Sequence, residues 1–150
     1  VKVISRQEID EKLLGLIFST QNYRSFLDQV YKLKKEADSR FSYASFAMKA
    51  GFSSRSFIKD VMEGRKRLTQ VSLPKTIKGF GLKKEVATFL TLLVKAEELE
   101  PENRNIIDKK IDRLRNRIKE KANGNKKLDK SIVASEYWRE IYASMSKDEG

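Results

Sequence analysis

Between Ser42 and Arg67 the chain gathers side chains that donate hydrogen bonds or carry positive charge: Ser42, Tyr43, Arg55, Ser56, Lys59, Arg65, Lys66 and Arg67. Donors of this kind recognise anions and hydrogen-bond acceptors; alone they break no bonds. The chain holds no Cys and no His, which removes thiol nucleophiles, Ser-His-Asp triads, disulfides and Cys/His zinc sites. It shows neither a calcium-loop spacing of carboxylates nor a Gly-rich phosphate loop ending in Lys-Ser or Lys-Thr. Asp108 and Asp112 stand one helical turn apart and share a face, yet their Lys and Arg neighbours favour surface ion pairs over a catalytic pair. No enzyme activity, metal or cofactor is expected.

The 150 residues carry a formal net charge of +11. Such an excess favours polyanionic partners, nucleic acid first and an anionic membrane surface second. The longest apolar run, Val86 to Val94, is too short to span a bilayer. No secretory signal is visible, and the lack of Cys is compatible with the cytoplasm. The chain starts at Val1 rather than Met, which leaves open whether residues precede it.

Helices must position the donors. Apolar residues recur at three and four rather than two, so the fold class is all-α. Residues 6–19 carry Ile9, Leu13, Leu16 and Ile17 as a stripe. Tyr23 to about Asp38 forms a second helix. Ser42 can N-cap a short helix through Lys49, because its hydroxyl can accept an orphan backbone N–H, and Gly51 stops it. Ser53 or Ser54 caps the next helix, about 54–63, which Gly64 ends. Thr69 starts another segment, with Pro74 near its beginning and "GFGL" at its close. Lys83 to Leu99 is a strong helix. After Pro101 a long helix is expected over 102–122, then a loop at "NGNKK", then a last helix from Ile132 to Met145. Ile107, Ile111, Leu114 and Ile118 form a narrow seam with coiled-coil-like 4-3-4 spacing. The division expected is an N-terminal helix (1–19), a central domain (20–100) and a basic helical appendage (101–150).

The segment 42–68 meets the demands of a helix-turn-helix. Ala47 is a small residue where a second helix would cross. Gly51, four later, tolerates positive φ in the turn. Phe46, Ala50, Phe52, Phe57, Ile58 and Val61 face inward, leaving Arg55, Ser56 and Lys59 outward. With "SYASFAMKAGFSS", "GRKRL" and "IKGFGL", residues 42–94 resemble the lambda repressor/Cro-like, XRE-type helix-turn-helix superfamily. The chain is also similar to a family of uncharacterised bacterial predicted regulators with an FSY-x-x-FA-x-x-AGFSS segment, a YRSFL-like helix ahead of it and a GL-x-x-E…F-x-x-LV helix behind. The resemblance implies a five-helix repressor-like bundle with a DNA-binding role. Two departures stand out. The Gly51–Gly64 interval is one residue longer than usual, which leaves the register of the second helix open by one position. Asp60 and Glu63 also fall on or near its outer side.

In that frame Arg55, Ser56 and Lys59 are the candidates for base edges in the major groove. Ser42, Tyr43, Arg65, Lys66 and Arg67 are the candidates for phosphates of double-stranded DNA. The plain alternatives are a solvated helix face, a simple cap with a packed tyrosine, and a solvated basic loop. The aromatic set Phe41, Tyr43, Phe46, Phe52, Phe57, Phe80 and Phe89 reads as core rather than as a stacking platform. The seam Ile107, Ile111, Leu114 and Ile118 faces either a second copy of the chain or its own domain. Lys109, Lys110, Arg113, Arg115, Arg117, Lys119 and Lys121, extended by Lys126 and Lys127, surround it. The leading function is a sequence-specific transcriptional regulator in the bacterial cytoplasm. The alternatives are a scaffold that binds another protein, for instance through its C-terminal helices, and a nucleic-acid binder without sequence choice.

Overall fold

The structure is a computed structural model that describes residues 5–128. Among these residues the chain is all-helical: α1 (Arg6–Ser19), α2 (Tyr23–Ala37), α3 (Tyr43–Ala50), α4 (Phe57–Met62), α5 (Ser72–Phe80), α6 (Lys84–Glu98) and α7 (Asn105–Leu128), with a 3-10 turn at Pro101–Asn103. The helix expected over 132–145 lies outside the described residues. The loop expected at 123–127 is instead the continuation of α7. A Gly and two Asn are weak helix formers there, but four lysines and an alanine between 119 and 127 favour the helix.

Local chemistry sets the helix ends. Asn22 accepts from Ser25 N at 2.8 Å to start α2. Ser42 and Ser45 form a reciprocal capping box at α3, and Thr69 and Ser72 exchange backbone-to-hydroxyl bonds of 2.8 and 3.2 Å ahead of α5. Gly51 and Gly81 end α3 and α5 in left-handed conformation, at φ 88° and 65°, a region that side-chain-bearing residues enter only at a penalty.

Helix α2 is central. It contacts α1, α4, α5 and α6, and its Phe26 meets Phe89 of α6 edge-to-face at 5.3 Å. The tightest helix pairing is α3 with α5. An added Cβ at Gly79 would lie 2.5 Å from Phe46 Cε1 and 2.8 Å from Ala50 Cβ. The small residue that permits the closest crossing is therefore Gly79, although Ala47 is also buried.

The α7 seam, open in the sequence between a second copy and its own domain, packs on its own domain. Ile107, Ile111, Leu114 and Ile118 are 5, 7, 1 and 2% exposed within the single chain. They join the same hydrophobic core as α1, α2 and α6, so the chain itself covers them. Four aliphatic side chains buried at about 1.5–3 kcal/mol each explain why α7 folds back on its own chain. Arg115 reinforces the docking by donating to Ile17 O at 2.9 Å, near the C-terminus of α1.

Candidate nucleic-acid interface

Helices α3 and α4 meet through the Gly51 turn, and the inner face of α4 is fully buried: Ile58 and Val61 are both 0% exposed. The register differs from expectation. Helix α4 begins at Phe57, so Arg55 and Ser56 occupy the turn before it. Phe52 and Phe57 stack across this turn at 4.3 Å, and the residues between them span that contact. The extra length between Gly51 and Gly64 thus goes into the turn. Both rings are half-buried. Lys75 Nζ sits 5.6 Å over Phe52 and Lys66 Nζ 5.6 Å over Phe57. Lys75, at the start of α5, was not legible as a site residue; its only signal was a cation one residue after Pro74.

The acidic residues of α4 do not face outward unopposed. The Asp60 side chain is only 17% exposed and accepts from Arg65 at 2.6 and 3.0 Å. Lys66 Nζ stands 3.7 Å from its other oxygen, and Ser56 Oγ donates to it at 3.4 Å. Hydrogen bonding from Arg65 holds the Asp60 carboxyl below its ordinary range. Arg65 also pairs with Glu63. The three loop cations are therefore unequal. Arg65 lies between two carboxylates, Lys66 is partly engaged, and Arg67 is exposed and, among the described residues, takes part in no ion pair.

The other predicted positions divide in the same way. Arg55, in the turn before α4, and Lys59, on α4, are both exposed. The Ser42 hydroxyl accepts from Ser45 N at 3.1 Å, as a cap. The Tyr43 ring is half-buried and stacks on Tyr31 at 4.5 Å. Burial, then the charges of Glu63 and Asp28, push its phenol above the ordinary value. Carboxylates so near Tyr43 oppose a phosphate there.

Helix α4 is pinned from below by Arg24 of α2, which the sequence reading missed. Its guanidinium donates to Val61 O and, at 2.9 Å, to Lys66 O. It lies 4.8 Å over the Tyr23 ring and 3.8 Å from Glu97 of α6. One cation thus meets carbonyls at the C-terminal end of α4 and in the following loop, where the helix dipole favours positive charge. Asp108 and Asp112 lie far along the chain, beside Arg115, lining a shallow depression with Thr20 and Gln21.

Among the described residues no helix is long and apolar enough to cross a membrane. Compared with known proteins, the chain matches no family model, no curated protein and no solved structure.

Proposed function

We propose that the chain is a sequence-specific DNA-binding regulator whose α3–turn–α4 unit enters the major groove. The observation that carries this reading is the division of charge on α4. Asp60 and, at its C-terminal cap, Glu63 are paired with Arg65 and Lys66, while Lys59 on the helix and Arg55 in the turn before it stand exposed. Arg55 is the candidate for guanine O6 and N7, a contact that discriminates by about 1–3 kcal/mol. Lys59 supports it from the first turn of α4. Lys66, Arg67 and Lys75 surround this face as phosphate contacts; Arg65 and Tyr43 serve the fold.

Selection from a randomised duplex pool near physiological salt tests the proposal. One enriched motif is expected, with Arg55→Ala weakening that motif far more than random DNA and Lys109→Ala weakening neither selectively. Three phosphates neutralised per protomer predict a slope of about −2.7 for log K against log salt. Motif-free binding, equally sensitive to both variants, would leave only a basic surface.

A further inference from the structure

Away from α4, the exposed cations of α7 are arranged rather than scattered. Lys110, Arg113 and Arg117 recur at helical spacing along one flank, and all three are exposed. With Thr88 and Leu92 of α6, and Asn116 and Glu120, they line a groove of about 590 Å³ between the two helices. Leu92, 9% exposed, is its apolar floor. One turn ahead of Lys110 on the same flank, Ile106 stands 64% exposed. Two other cations of α7 already have partners: Lys121 pairs with Glu85, and Arg115 serves the end of α1. Among the described residues, the three groove cations take part in no ion pair.

An apolar floor with cations on one rim fits a helix that carries apolar residues on one face and carboxylates beside them. The apolar face enters the groove, and the carboxylates meet Lys110, Arg113 and Arg117. A second copy of this chain fits poorly, because symmetric pairing of this flank sets like charges against one another. Duplex DNA fits poorly too. Its rigid phosphate ridge gains nothing from Leu92 or Ile106 and meets Glu120 at the rim. We infer that the α6–α7 groove docks an acidic amphipathic helix of a partner protein. The inference is independent of DNA binding, since none of these residues belongs to α3, α4 or the loop after them.

The test is an NMR titration of the ¹⁵N-labelled full chain with a synthetic amphipathic peptide bearing Leu on one face and Glu beside it. The control is a scrambled peptide of equal composition. Saturable shifts confined to Thr88, Leu92, Ile106, Lys110, Arg113 and Arg117 are expected, with the scrambled peptide inert. Charge reversal at Lys110, Arg113 and Arg117 together should weaken binding about tenfold or more. Thr88→Glu on the opposite rim should also weaken it, with helix content held by circular dichroism. Equal binding of the scrambled peptide, or shifts spread over every basic surface, would overturn the proposal. So would shifts of the same residues on dilution of the chain alone, on addition of duplex DNA, or contacts from residues after 128, each of which assigns the groove to another occupant.

Discussion

Replacing Arg24 by Met isolates what holds α4 in place. The methionine keeps an unbranched stem against the core and removes only the charged donor. Two carbonyls lose it. The bond to Val61 O is part-buried and is the larger loss, about 2 kcal/mol for a charge-assisted bond that water replaces incompletely. The bond to Lys66 O is exposed, so water restores most of it. The Glu97 partner is 42% exposed at 3.8 Å, which limits that pair to about 0.5 kcal/mol. The stack on Tyr23 adds about 0.5 kcal/mol. The whole loss is then about 3 kcal/mol, or a fall in Tm of about 6–12 °C for a chain of this size. Thermal unfolding by circular dichroism reads the total, and amide hydrogen exchange reads its location. The amides of Gly64, Arg65 and Lys66 close the end of α4 onto Val61 O and Asp60 O and should exchange faster, while the interiors of α1 and α6 change less. A Tm within about 2 °C of the parent, or protection lost evenly across all helices, would refute a local pinning role.

Gly79→Ala sets about 1 kcal/mol of gained helix propensity against a Cβ placed 2.5 Å from the Phe46 ring and 2.8 Å from Ala50 Cβ. Overpacking of that kind costs about 1–3 kcal/mol, so the urea midpoint should fall; an unchanged or higher midpoint refutes the tight crossing. Asp60 has a folded-state pKa below its ordinary value, so its stabilisation is present above that ordinary value and is lost as pH falls through the lower one. Asp60→Asn should therefore lower Tm at neutral pH and flatten its decline below about pH 4, as read from unfolding curves across the acid range. Lys34 is the opposite case: burial holds its ammonium below the ordinary value, opposed by Asp10 and reinforced by Lys49, Lys83 and Arg6. The penalty is full below the folded pKa and gone above the unfolded one, so Lys34→Met should raise Tm at neutral pH and lose its advantage near pH 11.

Much of this arrangement was legible because helices write their period and punctuation into the chain. The 3.6-residue stripes, the serine and threonine caps and the glycine stops placed α1, α2, α3 and α6 within a residue or two. Where α4 begins was not legible. A serine at 53 or 54 is a good cap in isolation, but the Phe52–Phe57 stack is a contact across a turn, and no propensity encodes it. The destination of the α7 seam was open for a related reason. A 4-3-4 apolar stripe says that something covers it, and only the fold of α1 and α6 shows that the cover is the same chain.

The same limit governs charge. A net +11 counts cations without saying which are already committed. Arg24, Arg104 and Arg115 donate to backbone carbonyls at helix ends, so they act as caps and bring little to a polyanion. Arg65 is held by Asp60 and Glu63, and Lys121 by Glu85. Few of these assignments follow from sequence spacing, because the partners of Arg24, Arg115 and Lys121 lie on or beside other helices, and even the close partners of Arg65 are fixed only by how α4 ends. What remains near α4 is a short set, Arg55, Lys59, Arg67 and Lys75, with Lys66 partly engaged by Asp60, and what remains on α7 is another. Their separation on the surface gives the two proposals different variants. If both sets bound the same polyanion through charge alone, substitutions on α4 and on α7 would be interchangeable in affinity and in salt dependence. A DNA site and a protein-docking groove require that they are not.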